Sequence, residues 1–256
     1  MAMQWYTFRV QRFHPESDYQ PREVQYEVEL QEDASVLEGL HFIRQHHDPS
    51  LAYRYACRSA VCGSCAVRVN GEIRLACRTK MWELKTQIVT VKPLPTLSVI
   101  KDLVVDLKPF WDAYKKIQPW LISAEGKRQK EILITEKTSK IIEKFITCIL
   151  CAGCYAGCLV TRRERCYLGP QAMQEAYRFL CDPRDEASEQ RLKMLDSDSG
   201  LWGCDALFRC VDVCPWDLKP AESIFSMRRM VTVDRLKRAF SWGRSKYASS
   251  AQMKSI

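Results

Sequence analysis

Long apolar runs are missing from this 256-residue chain. The most apolar stretch, around Thr96 to Leu107, is interrupted by Lys101, Asp102 and Asp106, so nothing approaches the ~20 consecutive apolar residues of a membrane-spanning helix. The opening residues, Met1-Ala-Met-Gln-Trp-Tyr6, show neither a basic stretch followed by an apolar core nor an Arg- and Ser-rich leader, which argues against export. Histidine is scarce: His14, His41, His46 and His47 are all there is, and they do not form the pair that replaces two cysteines in a Rieske centre. They are expected at the surface or as satisfied core groups. No unit of roughly 20 to 50 residues recurs, which removes solenoids and propellers.

Cysteine, in contrast, is in excess. Thirteen is an odd number, and without an export signal the thiols are better read as metal ligands than as a disulfide framework. The remaining composition, 46% hydrophobic and 27% charged with a mean hydropathy of −0.28, is that of a globular chain long enough for two modest domains. The net charge of +8 sits almost wholly in one place. From Ser226 to Ile256, eight basic residues face Asp234 alone, so that segment carries +7. A basic tail suits an anionic membrane surface or an acidic partner, or is simply a solvated terminus.

Residues Gln4 to Phe13 and Arg22 to Leu30 are rich in aromatic and β-branched types and read as a hairpin, with turn formers from His14 to Pro21. Ser35, with Glu38 three residues on, is a capping-box start for an amphipathic helix that ends near His46. After a cysteine-rich loop, Cys65 to Val69 alternates, Asn70-Gly71 is a favoured two-residue hairpin turn, and Gln87 to Val91 closes with a strand pattern. Beyond Pro93 and Pro95 the character changes. Leu107 to Trp120, Thr135 to Phe145, Gln171 to Leu180, Glu186 to Leu195 and Ala221 to Met230 have helical spacing or composition. The expected division is residues 1–95, a small α+β unit; 96–226, a mainly helical unit; and 227–256, the basic tail.

The first cysteine group, Cys57-x4-Cys62-x2-Cys65-x11-Cys77, has the plant-type [2Fe-2S] spacing. Small residues in the loop (Ser59, Ala60, Gly63, Ser64) let backbone N–H groups turn toward the sulfurs. Zinc is the competing reading, but it favours paired short intervals over an x4 interval and a lone later cysteine. The second group, Cys148-x2-Cys151-x2-Cys154-x3-Cys158, is the bacterial ferredoxin run, whose fourth cysteine serves the other cluster of a pair. The partner run follows as Cys204-x5-Cys210-x3-Cys214-Pro215, with Leu207 where the second cysteine should stand. By the crossing rule Cys148, Cys151, Cys154 and Cys214 hold [4Fe-4S], while Cys158, Cys204 and Cys210 offer three thiolates. An aliphatic side chain cannot bind iron, so the last site should hold [3Fe-4S]. Cys166 and Cys181 remain and are expected to be buried small hydrophobes. Oxidised cores on these thiolates carry roughly −2 each, which brings the loaded protein to about +2 and weakens any case for nucleic acid.

A plant-type [2Fe-2S] unit followed by a helical bacterial-ferredoxin unit with one cysteine missing resembles the iron–sulfur subunit of succinate dehydrogenase and fumarate reductase. Cys57-Arg-Ser-Ala-Val-Cys-Gly-Ser-Cys65 and Cys210-Val-Asp-Val-Cys214-Pro carry the likeness, which spans nearly the whole chain. The resemblance implies an α+β fold, a β-grasp plant-type ferredoxin domain ahead of the helical one. It places Cys57, Cys62, Cys65 and Cys77 nearest the flavin. It implies a flavoprotein partner with covalent FAD, a membrane-anchor cytochrome b with haem b, quinone near the [3Fe-4S] end, and a peripheral position on the cytoplasmic face of the bacterial plasma membrane. No residue of this chain would act as acid, base or nucleophile. Family members with ubiquinone beside the three-iron centre read Cys-Pro-Ser-x-x-Trp and Cys-His at two places where this chain has Cys158-Leu-Val-Thr-Arg-Arg163 and Cys204-Asp205. Without that Trp and His the chain is closer to the branch whose dihaem cytochrome b carries the quinone site, often for menaquinone. The other readings are a subunit of another dehydrogenase or heterodisulfide-reductase-like complex, and a stand-alone multi-cluster ferredoxin.

Overall fold

The computed structural model describes residues 3–123 and 131–252, with side chains through 237. Strands β1 (Met3–Arg12) and β2 (Arg22–Gln31) pair antiparallel in unbroken register from Met3 opposite Gln31 to Arg12 opposite Arg22. Their alternation puts Tyr6, Phe8, Val10, Tyr26, Val28 and Leu30 into one buried face, as a half-covered sheet requires. Helix α1 (Val36–His46) covers that face with Val36, Leu37, Leu40 and Ile43, and begins at the expected capping box between Ser35 and Glu38. Strands β3 (Ala66–Val69) and β4 (Glu72–Leu75) are joined by Asn70 and Gly71, both at positive φ (47° and 89°), the conformation a twisted two-residue hairpin needs. β5 (Ile88–Lys92) runs parallel to β1 and antiparallel to β3, which gives the mixed order β2-β1-β5-β3-β4.

The prolines at 93 and 95 do not end the packing against this sheet. A small hairpin, β6 (Val99–Lys101) and β7 (Val104–Val105), carries Asp102, which is 1% exposed. Its carboxylate accepts from Arg12 Nε at 2.9 Å, Phe13 N at 3.0 Å and Ala52 N at 2.8 Å. Arg12 also holds Tyr26, Asp48 and Ser50. A buried carboxylate with three donors is compensated for its lost hydration, and the clasp ties 99–105 to the first strand.

The second half is helical: α2 (Lys108–Lys116), α3 (Glu136–Ile146), the single turns α4 (Gly153–Ala156) and α5 (Leu159–Arg163), α6 (Gly169–Leu180), α7 (Ser188–Leu195), α8 (Arg209–Asp212) and α9 (Pro220–Gln252). α6 is the central post, touching α2, α3, α4, α7 and α9. Arg191, with no exposure, binds Asp185 through two nitrogens at 3.1 and 2.8 Å and the carbonyls of Ile117, Gln118 and Trp120. Its guanidinium also lies 4.5 Å from the Phe179 ring centroid. α2 stops at Lys116, short of the expected Trp120, because Gln118 turns to φ 50° and frees the carbonyls that Arg191 takes. Ala221 to Met230 is only the start of α9, so the basic segment from 227 is continuous with a helix whose Ile224, Met227 and Val231 are buried. No helix among the described residues is long and apolar enough to cross a membrane.

Candidate metal centres

The loop between α1 and β3 wraps the first cysteine group. Arg58 and Ala60 both sit at φ 58°, and Gly63 at 70°. These left-handed residues turn successive N–H groups inward: Ser59, Val61 and Cys62 each donate to Cys57 Sγ at 3.3 Å, Cys57 N donates to Cys62 Sγ at 3.5 Å, and Ala60 N donates to Cys77 Sγ at 3.3 Å. The Ser64 hydroxyl adds a bond to Cys62 Sγ at 3.3 Å. The Cys57 N–H and the Ser64 hydroxyl lower the Cys62 thiol to about 6. Burial pushes Cys65, which directly precedes β3 and faces Cys77 and Cys62, up to about 12. The loop thus holds thiolate charge at its rim, while its buried member needs a cationic partner to ionise.

The two later runs share one backbone. Leu150 (φ 52°) and Ala152 (φ 60°) stand two and four residues after Cys148, and Ala206 and Phe208 (both φ 58°) stand two and four after Cys204. α4 starts right after Ala152, and α8 right after Phe208. In both runs the N–H two residues on faces the first thiol, Leu150 toward Cys148 and Ala206 toward Cys204 Sγ at 3.4 Å. Gly153 N donates to Cys151 Sγ at 3.5 Å and Leu218 N to Cys214 Sγ at 3.3 Å. In this register Leu207 occupies the place of Cys151.

Side-chain proximities divide the thiols into two sets. Cys148 faces Cys151 and Cys214, and Cys154 faces all three. Cys210 faces Cys204 and Cys158. Cys154 also faces Cys210, where the sets meet. Burial pushes Cys148 to about 12, Cys210 to about 11 and Cys154 well above its ordinary value. Such thiols stay protonated unless a cation displaces the proton.

Three buried polar atoms without a partner lie beside these sets: Gln171 Nε2 and Gln174 Oε1 on α6, lining the cavity of Cys148, Cys151, Cys154 and Cys214, and the Tyr167 hydroxyl, facing Cys204, Cys158 and Cys210. Natural interiors seldom leave polar atoms unpaired, so both sets have bonding capacity for a polar inorganic body, and the first set also lines a cavity. Among the described residues no group of three or more His, Cys, Asp or Glu is drawn together as a single metal ion requires. Zinc ligands converge on one point, whereas the thiolates of an iron–sulfur core stand apart at its corners. The donors present are of the kind that hold iron–sulfur cores.

The first group abuts the second. A Cβ added at Gly63, between Cys62 and Cys65, would fall 2.7 Å from Ile149 O and 2.8 Å from Cys151 Cα, a contact only glycine allows. Arg78, next to Cys77, donates to Pro215 O beside Cys214 and lies over the Trp216 ring. From α9, Arg228 donates to Leu201 O at 2.9 Å and Cys204 O at 2.7 Å. Cysteine spacing does not reveal Gly63, Arg78, Arg228 or Tyr167 in these roles; the sole hint is the Gly in Cys62-Gly-Ser-Cys65.

Two sequence expectations need correction. Cys166 is exposed and Cys181 half-buried: Cys166 follows the exposed stretch Arg162–Arg165, and it is the neighbouring Tyr167 that turns inward. His41 is not a satisfied core group. Its Nδ1 bonds the Tyr53 hydroxyl at 2.6 Å, but its Nε2 is buried without a partner.

Residues 7–112 match the family of 2Fe-2S iron-sulfur cluster binding domains. The chain is 36% identical to the succinate dehydrogenase iron-sulfur subunit of Paracoccus denitrificans, over 90% of this chain and 88% of that one. It is 34% identical to the fumarate reductase iron-sulfur subunit of Haemophilus influenzae, over 84% and 88%. Among solved structures, a chain of the Mycobacterium smegmatis Sdh1 complex in the apo form superimposes with a TM-score of 0.83 at 28% identity, covering 91% of this chain and 98% of that one. Together with the cysteine-lined loops, this likeness over most of both chains makes the protein a member of the family of succinate dehydrogenase and fumarate reductase iron–sulfur subunits.

Proposed function

We propose that this electron-transfer subunit passes single electrons through one [2Fe-2S], one [4Fe-4S] and one [3Fe-4S] cluster, between the covalent FAD of a flavoprotein subunit and the haem b or quinone of a cytochrome b anchor. Bound clusters supply one-electron carriers between a two-electron flavin and the membrane side. Cys57, Cys62, Cys65 and Cys77 would hold the first, on a β-grasp ferredoxin unit of residues 1–95. Cys148, Cys151, Cys154 and Cys214 would hold the second, and Cys158, Cys204 and Cys210 the third, on the helical unit 96–226. The remaining residues set distance and charge: Gly63 lets the first loop rest on Cys151, and the backbone N–H groups stabilise sulfur charge. Substrate chemistry belongs to the flavoprotein. The observation that carries the reading is that the cysteine groups adjoin one another, the first loop resting on Cys151 at Gly63 and Cys154 facing Cys210. Adjoining groups suit electron transfer and serve no purpose in a zinc module.

The family's quinone-site Trp and His correspond to Arg163 and Asp205, which pair with each other at 3.0 Å. This favours a quinone site on the anchor, near the three-iron end but not lined by this chain. The basic segment from 227 fits docking at the cytoplasmic face of the bacterial plasma membrane, and nucleic acid has no part in the reading. Anaerobic isolation with iron, sulfide and EPR analysis tests the whole. About nine irons per chain, a three-iron signal and a co-purifying flavoprotein are expected. Zinc without sulfide, or a monomer that never associates with a flavoprotein, overturns the reading.

A further inference from the structure

Tyr167 is 2% exposed, and its hydroxyl meets no well-formed hydrogen-bond partner among the described residues, its one polar approach being to the Cys204 thiol. It stands just before α6, with its N–H bonded to Glu164 O at 3.1 Å and the next N–H, of Leu168, bonded to Ser199 O at 2.9 Å. The ring lies along Gly203, the residue before Cys204: a Cβ added there would come 3.0 Å from Tyr167 Cδ2 and 3.4 Å from Cε2. From that seat the hydroxyl faces Cys204, Cys158 and Cys210 together, the three thiols left without a fourth by Leu207. Burying a phenol unbonded costs about 1–3 kcal/mol. The apolar alternative, phenylalanine, would fill the same volume without that cost. The oxygen is kept where, among the described residues, the only polar groups it approaches are these thiols.

We propose that the Tyr167 hydroxyl donates a hydrogen bond to the sulfur shell of the three-thiolate centre and thereby raises its reduction potential. The inference rests on the assignment of [3Fe-4S] to Cys158, Cys204 and Cys210. Reduction adds negative charge to the core and its sulfurs, and a donor aimed at them stabilises the reduced form more than the oxidised one. A phenol carries its proton at neutral pH, so the hydroxyl is a donor under working conditions. The backbone donor at Ala206 reaches Cys204 from within its own loop, whereas Tyr167 comes from the separate segment that precedes α6. Tyr167 is thus a tuning residue, not a ligand.

The test is Tyr167→Phe in the complete complex, with the oxidised three-iron EPR signal followed through a redox titration. The signal should keep its wild-type amplitude while the reduction equilibrium shifts about tenfold toward the oxidised form, about 59 mV for one electron. A merely structural role would weaken the signal without moving its midpoint. An unchanged midpoint with the signal intact overturns the inference. If no three-iron signal exists in the wild type, the ligand assignment itself is wrong, a distinct result. Should the variant not assemble, wild-type complex grown on tyrosine labelled with oxygen-17 in the phenol decides: a hyperfine coupling of that oxygen to the three-iron signal supports the bond, and its absence overturns it.

Discussion

The runs 148–154 and 204–210 have the same left-handed residues at the same offsets, the same short helix after them and the same N–H turned toward the first thiol, yet one carries Cys151 where the other carries Leu207. Their settings differ as well. Cys151 lies beneath Gly63 of the first loop, while Leu207 and its neighbour Phe208 are 51% and 49% exposed. The backbone prepares both places for a ligand, and one side chain decides whether there is one. The position without a ligand is also the one that looks outward, on the face where Trp202 and Phe225 are exposed too.

The comparison breaks most visibly with Leu207→Cys. A fourth thiolate on the prepared backbone should raise the iron content by about one per chain and abolish the EPR signal of the oxidised three-iron centre; retention of that signal at full strength means the two backbones are not equivalent. Cys151→Leu is the converse. It should cost about one iron and add a second three-iron signal, with lower yield, because leucine must fit under Gly63. Gly63→Ala leaves every ligand in place but sets a Cβ against Ile149 O at positive φ. A loss of about 2 kcal/mol is expected, seen as earlier thermal bleaching of the visible absorbance, together with slower electron exchange between the first two centres. The smallest effect sharpens the likeness of the runs. Ala152→Gly and Ala206→Gly, one in each run, relieve left-handed backbone and should each raise stability by about 1 kcal/mol, read from the denaturant midpoint of cluster loss. Unequal gains would show that one loop carries strain the other does not.

Where a feature is encoded locally, the sequence was sufficient. Ser35 with Glu38 marks a helix start whatever surrounds it, Asn70-Gly71 marks a turn, and thiol spacing is fixed by the size of what the thiols enclose. The crossing rule likewise reads directly off the two runs, and the division of the later thiols it gives belongs to the proposed ligand sets. Features that depend on distant partners were not legible. The β6–β7 hairpin stands because Arg12, about ninety positions away, answers Asp102. The single turns α4, α5 and α8 are too short to leave a period. The length of α9 was missed because its polar continuation lacks an apolar stripe. Cys166 and Tyr167 are adjacent, and only packing decides which of them turns inward.

Arg228 gives the C-terminal helix a mechanical meaning. Its guanidinium holds the carbonyls of Leu201 and Cys204, and one turn or two further on Arg235 clasps Asp196 at 2.6 Å, which in turn takes the Trp202 indole at 2.6 Å. α9 is therefore a lever fastened to the peptide on either side of the terminal thiol loop. Any tug that a lipid surface or neighbouring subunit exerts on that lever reaches the Cys204 carbonyl directly through Arg228.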